Sequence, residues 1–174
     1  MQKMFTTQLM GLFKRIMDHE EYSIEDGARL LAQAAAGEGT IFIKGFDEMD
    51  GVTFEALEGA EPLKIARRLE SVASIESVDR VLILTRYSDH EEAIKLAEEL
   101  AEKGIPFVAI SGNRDSEGKR ITDLADVHIH THLLKPLLPG DDGNRVGFPS
   151  LMAGLYIYSL LKFALEEILE DYED

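Results

Sequence analysis

Three groups of residues in this 174-residue sequence have the types and spacing to do chemistry. His128, His130 and His132 alternate with Val127, Ile129 and Thr131. A period of two puts the three imidazoles on one face of a strand. Such a row can share a metal ion, line a ligand crevice, or form the polar side of an edge strand. The second group is the turn Gly45-Phe46-Asp47-Glu48-Met49-Asp50. Its three carboxylates could hold Mg²⁺ or Ca²⁺, but the twelve-residue calcium pattern is missing, so a solvated acidic turn is expected. The third is Thr85-Arg86-Tyr87-Ser88-Asp89-His90, directly before a helical pattern. Hydroxyls and backbone amides at a helix start can close around an anion, and Arg86 adds a cation. No metal or cofactor is called for by any of the three.

The elements that position these groups read as a parallel α/β domain. Phe5, Leu9, Leu12, Phe13 and Ile16 mark one helical face. A second helix is expected to start at Ser23 as N-cap, with Asp26 three residues on, and to stop at Gly37 and Gly39. Thr40–Lys44 is then a short apolar strand. Val81-Leu82-Ile83-Leu84 is unbroken in its apolarity, as for a strand covered on both faces. The helix after it is expected to be capped by Ser88 with Glu91, or by Asp89 with Glu92. It turns Ile94, Ala97, Leu100 and Ala101 inward and ends at Gly104. Phe107–Ile110 follows as a strand parallel to the first, and Asp126–His130 as a further one. The last helix runs from about Pro149 to Glu170 with little polar face, which predicts burial on all sides and favours a homo-oligomer, such as a homodimer, built through the terminal helices. The long connection His132–Ser150 carries Leu133, Leu134, Leu137 and Leu138 and is expected to pack onto something, such as a neighbouring subunit.

The loops Gly45–Asp50, Thr85–His90 and Ser111–Arg114 then share the edge at which open parallel sheets bind ligands. A three-layer αβα sandwich with a parallel sheet of about five strands is expected over the whole chain as one domain. The formal net charge of −15 disfavours nucleic acid and anionic membranes as partners. There is no cysteine, so no disulfide or thiol chemistry is possible. The N-terminal residues lack the apolar core of a signal peptide, and Leu151–Leu161 is too short to span a bilayer. A cytoplasmic protein is expected. No P-loop, dinucleotide fingerprint or serine-hydrolase elbow occurs.

The segment VLILTRYSDHEEAIKLAEELAEKGIPFVAISGN, followed by ITDLADVHIHT, resembles the core of the sugar isomerase (SIS) domain family. The earlier SIEDGARLLAQAAAGEGTIFIKG is similar to that family's helix leading into its first strand. The resemblance covers residues 20 to 130, with a compatible final helix, and the layout is most similar to phosphoheptose isomerases. In the family a strand ends in S-x-S-G-x-S/T and grips the phosphate of a phosphorylated sugar. The resemblance therefore implies a ligand site at Thr85, Arg86, Tyr87, Ser88 and Asp89, with Gly45, Phe46 and Asp47 from the first loop and Ser111 from the third. Within it Tyr87 stands where the second serine is expected, Ser88 at the glycine and His90 at the final hydroxyl.

The resemblance also implies a proton shuttle between a Glu on the helix after the first loop and a His on the final helix. Glu58, or Glu55, matches the Glu. The final helix has no histidine, and His90 is the residue that could replace it as the partner acid. Binding of a phosphorylated sugar without turnover, or with weak turnover, is the favoured expectation. A phosphosugar aldose–ketose isomerase is the alternative.

Overall fold

The computed structural model describes residues 1–173. Five parallel strands form one sheet in the order β2-β1-β3-β4-β5. In chain order the elements are α1 (Gln2–Ala36), β1 (Ile41–Gly45), α2 (Asp50–Glu58), β2 (Ala66–Arg68), β3 (Arg80–Tyr87), α3 (Glu91–Lys103), β4 (Phe107–Gly112), β5 (Val127–His130), the short hairpin β6 (Leu138–Pro139) and β7 (Arg145–Val146), and α4 (Ser150–Glu173). The three-layer parallel sandwich expected from the sequence is what forms.

Residues alternate faces along each strand, and the two faces feed two cores. Ile41, Ile43, Leu82, Leu84, Val108, Ile110 and Ile129 pack against α1, α2 and α4. Val81, Ile83, Phe107 and Ala109 pack against α3 and its flanking turns. This is why the Val81–Leu84 run contains no polar residue. Leu100, Ala97 and Ala93 form the inner face of α3. Ala101, expected inward, is exposed. It lies one residue past Leu100, which rotates it about 100° off the buried stripe.

Two helices were expected before β1, and one continuous 35-residue helix is found. Ser23 is therefore a helix-interior residue, not an N-cap. The buried stripe runs Leu12, Ile16, Glu20, Ile24, Gly27, Ala28, Leu31 without a break. It passes through one acid and one glycine, which hides it from an apolar pattern. Gly27 is needed for close packing: a Cβ there would press on Leu161 of α4 at 3.3 Å. The start of α3 is a second correction. Neither Ser88 nor Asp89 caps it; His90 does, its Nδ1 accepting the Ala93 N–H at 3.3 Å. The long 132–150 connection folds back as the β6–β7 hairpin, with Leu133 and Leu138 buried within this chain.

Glu20 explains the outer edge of the sheet. β5 is an edge strand, and edge strands leave backbone donors unpaired. One Glu20 oxygen accepts the outward His130 N–H at 3.2 Å, and the other meets His132 Nε2 at 2.7 Å. The three histidines do lie in a row, with ring centroids 6.4 Å apart for His128–His130 and 4.1 Å for His130–His132. His130 Nδ1 accepts the N–H groups of Asn113 and His132, each at 3.1 Å. His128 Nε2 bonds the Ser111 hydroxyl at 2.7 Å. Among the described residues no three His, Asp or Glu are placed to hold a metal ion. The row is thus hydrogen-bonded into the edge of the fold. Burial, and then the neighbouring His130 and His132, push His128 down to about 4.

Two tests follow from this edge and this helix. Ser23→Pro removes a helix-interior N–H and clashes with the preceding turn, so it should cost about 3 kcal/mol or more, read as a lower urea midpoint. An unchanged midpoint would mean that the helix breaks at Ser23. His128 is held below its ordinary 6.5 when folded, so the unfolded chain binds its proton first and stability is lost as pH falls from about 6.5 towards 4. The wild-type loss in unfolding free energy between pH 7 and 4.5 should therefore exceed that of His128→Gln by about 2 kcal/mol. Equal losses in the two proteins would count against a buried neutral His128.

Candidate functional site

All five strands run the same way, so the turns after β1, β3 and β4 meet at one edge, where α2, α3 and α4 also begin. Gly45 closes β1. Its N–H donates to Thr53 Oγ1 at 2.9 Å, and a Cβ there would collide with the Met49 carbonyl. Phe46 follows, nearly buried, its ring 4.9 Å from the His90 ring and under the Lys44 ammonium. Asp47 adopts a positive φ of 53° and its carboxylate faces His90 Nε2 at 3.1 Å. That contact and the α3 cap fix the His90 ring from both nitrogens: with Nδ1 accepting, Nε2 is the protonated one.

The end of β3 is irregular. The pairing with β4 shifts register between Leu84 and Tyr87, which turns Arg86 out to solvent. Thr85 is buried and donates to the Tyr87 carbonyl at 2.7 Å. Ser88 is buried too, its N–H on the Gly112 carbonyl and its carbonyl accepting the Ile121 N–H. Its hydroxyl has no partner among the described residues. Tyr87 donates to the Leu134 carbonyl at 3.3 Å and carries the Arg114 guanidinium 3.9 Å above its ring. Arg114 in turn donates to Asp89 at 2.9 Å. Ser111 sits at the same edge, but its hydroxyl is engaged by His128.

Glu48 ties the edge together. One carboxylate oxygen accepts Arg86 Nε at 2.6 Å and the Ser150 hydroxyl at 2.5 Å; the other accepts Arg86 Nη2 at 2.7 Å. This two-pronged geometry is the strong form of a charge-assisted hydrogen bond. It holds Glu48 down at about 2, with Arg86 the main cause and Ser150 assisting, against burial. Glu48, Arg86, Tyr87, Phe148 and Ser150 line an open cavity, a shallow cleft of about 400 Å³, within the range of small-molecule sites. Tyr87 and Phe148 form its aromatic corner, ring edge to face at 5.8 Å.

Of the residues singled out from the sequence, Gly45, Phe46, Asp47, Thr85, Arg86, Tyr87, Ser88, Asp89, His90 and Ser111 come together at this edge. Glu55 and Glu58 do not. They lie exposed in the last turn of α2, where the Ala56 carbonyl accepts the Leu63 N–H just ahead of β2. The chain leads from there to the start of β2. Burial, then Glu166 and Glu55, push the Tyr158 hydroxyl of α4 up to about 12. The three cations Lys44, Arg86 and Arg114 do not converge on one point; Arg86 and Arg114 each face an acid of this chain. Phe148 and Ser150 were not found from the sequence. A serine just after Pro149 at the head of an apolar helix is a readable helix start, and a helix in this fold begins at the site edge. Phe148 carried no such signal. A larger groove of about 740 Å³ lies at the far edge, between the ends of α1 and α4 and the segment before β2. No loop following a strand reaches it.

This geometry can be set beside known proteins. The chain is 46% identical over 174 residues to the uncharacterized protein YwjG of Bacillus subtilis (strain 168), covering 99% of each. The structure is similar to a phosphoheptose isomerase from Francisella tularensis, with a TM-score of 0.64, 14% identity and coverage of 90% of this chain and 92% of that one. It is also similar to the Vibrio vulnificus NanR protein complexed with ManNAc-6P, with a TM-score of 0.70, 15% identity and coverage of 98% of this chain and 63% of that one. At these identities the likeness is one of fold, and the fold is that of the SIS domain. By sequence, the chain belongs to the family described as Domain of unknown function (DUF2529), whose model matches residues 1–169.

Proposed function

We propose that this chain is a phosphosugar-binding SIS domain that does not carry an isomerase's acid–base pair. The observation that supports the reading is the cavity of about 400 Å³ at the carboxyl edge of the parallel sheet, with a guanidinium, a carboxylate, a hydroxyl and two aromatic rings converging on it. Ligands of open α/β sheets bind at that edge. A neighbour in fold is complexed with ManNAc-6P, which makes phosphorylated sugars the ligand class to try first. Of the residues expected to bind the ligand, Arg86 and Tyr87 line this cavity; Thr85, Ser88 and Ser111 are buried behind it, and the reading gives them a supporting role.

Turnover is disfavoured by placement. A general base must lie within hydrogen-bond reach of the proton it takes, and neither Glu55 nor Glu58 lines the cavity. His90 is occupied by Asp47 and the cap of α3. The isomerase alternative would need other residues for the proton transfer. The reading also includes a cytoplasmic homo-oligomer, supported by apolar residues left exposed on both terminal helices, Met10 and Met17 on α1 and Met152 and Phe163 on α4.

Thermal unfolding in the presence of hexose and heptose phosphates, N-acetylmannosamine 6-phosphate among them, tests the reading. A ligand at a hundred times its Kd stabilises by about 2.7 kcal/mol, a shift of several degrees for a domain of this size. We expect at least one phosphosugar to give such a shift and none to be interconverted. Turnover of any of them would restore the isomerase. No shift with any would leave a structural or assembly role.

A further inference from the structure

We propose that the Glu48–Arg86 pair reads the hydroxyl-bearing part of the ligand, with Glu48 as the specificity-determining residue, and is not the clamp for the phosphate. This deepens the phosphosugar reading and rests on it for the ligand class.

The hydrogen-bond inventory of the pair is the starting point. A guanidinium has five N–H donors and two edges able to bind in pairs. Glu48 takes the Nε–Nη2 edge. Three donors remain on Arg86, two on Nη1 and one on Nη2. A carboxylate has about four acceptor sites. On Glu48, Arg86 takes two, Ser150 one, and the Glu48 backbone N–H a further one. The Ser150 hydroxyl donates to Glu48 and keeps its own lone pairs, so the cavity offers Arg86 donors beside the acceptors of an oriented carboxylate and hydroxyl. A hydroxyl group both donates and accepts, so neighbouring hydroxyls on a sugar carbon chain complement that array. A phosphate at neutral pH chiefly accepts, and leaves the Glu48 acceptor facing negative oxygens.

Charge decides in the same direction. A phosphate about 4 Å from the guanidinium would lie about 8 Å from the carboxylate behind it, so the repulsion cancels about half the attraction at any uniform dielectric constant. Protonation does not relieve this, because Glu48 stays ionised down to about pH 2. The remaining walls are Tyr87 and Phe148, with Ser150 locked onto Glu48. The Phe148 ring suits the C–H side of a sugar and adds nothing for a bare anion, while one face of Tyr87 is taken by Arg114. Arg86 is also held rigid before any ligand arrives, which lowers the ordering cost of binding.

Calorimetric titration of wild type, Glu48→Gln and Phe148→Leu with fructose 6-phosphate, fructose and inorganic phosphate tests the proposal, with thermal midpoints confirming that each variant is folded. We expect Glu48→Gln to weaken fructose 6-phosphate ten- to a hundred-fold, as when a charged hydrogen bond is lost. Phe148→Leu should weaken it by less, and any affinity for inorganic phosphate should be unchanged in both. Tighter binding of inorganic phosphate or of fructose 6-phosphate by Glu48→Gln would overturn the proposal, since Arg86 would then be a phosphate clamp masked by its acid. Unchanged affinities would overturn it as well. If wild type binds no phosphosugar, the phosphosugar reading fails by itself, and NMR with fructose at millimolar concentration decides the pair. Shifts at Tyr87 and Phe148 that vanish in Glu48→Gln would uphold it, and no shifts would remove it too.

Discussion

A parallel sheet has to be dry on both faces, and every other feature of this chain follows from how it meets that demand. Parallel strands need a crossover between each pair, and the crossovers lay helices on the faces. Here α1, α2 and α4 cover one face of β1, β3, β4 and β5, and α3 covers the other. The same arrangement sends the carboxyl end of every strand, and the amino end of α2, α3 and α4, to a single edge. Polar side chains that the core cannot accept are collected there. The site is thus a by-product of the packing rule, and its chemistry depends on which residues the turns supply.

How much of this could be read from the sequence varied with how far apart the interacting residues lie. Val81–Leu84 and Phe107–Ile110 announce themselves, because a strand covered on both faces has no polar position. α3 does so through Ala97 and Leu100, although its stripe is completed by Ala93 and not by Ala101. The continuity of α1 was hidden at Glu20, which is buried only because His132 and the His130 amide, 110 and more residues away in the chain, meet its carboxylate. β2 was hidden because it has just three residues, Ala66-Arg67-Arg68, on an edge where arginines are tolerated. The ends of β1, β3 and β4 were placed together from topology alone. The Glu48 partnership was not, since Arg86 and Ser150 lie 38 and 102 residues from it. Glu55 and Glu58 fall outside the Glu48–Arg86 cavity for a simple reason. A nine-residue helix rises about 13 Å, so the end of α2 leaves the edge at which it started.

Three of the cationic or imidazole groups at the site edge each face an acid of this chain: Arg86 with Glu48, Arg114 with Asp89, His90 with Asp47. All three are partly exposed, and partly exposed pairs contribute little to stability. Their effect is on recognition. Where the SIS pattern has small hydroxyl residues whose amides face an anion, this edge has two arginine–carboxylate pairs and a histidine hydrogen-bonded to Asp47. Tyr87 could not be accommodated with a bare loop either. Its ring needs cover, which Arg114 and Phe148 provide, and Arg114 is kept over it by Asp89.

The acidity of the whole chain bears on the same point. A net charge of −15 would be expected to keep a sugar phosphate away. At physiological ionic strength, however, charges are screened over about 8 Å, so acids scattered around a domain of this size scarcely reach a ligand seated in a cavity. What an anionic ligand meets is the local balance, and at Glu48, Arg86 and Ser150 that balance is close to neutral. A neutral, donor-and-acceptor wall discriminates by shape and hydrogen-bond pattern and only weakly by charge. The acidic exterior and the cavity are in this sense independent: the first disfavours polyanions by long-range repulsion, and the second presents a locally near-neutral wall of donors and acceptors.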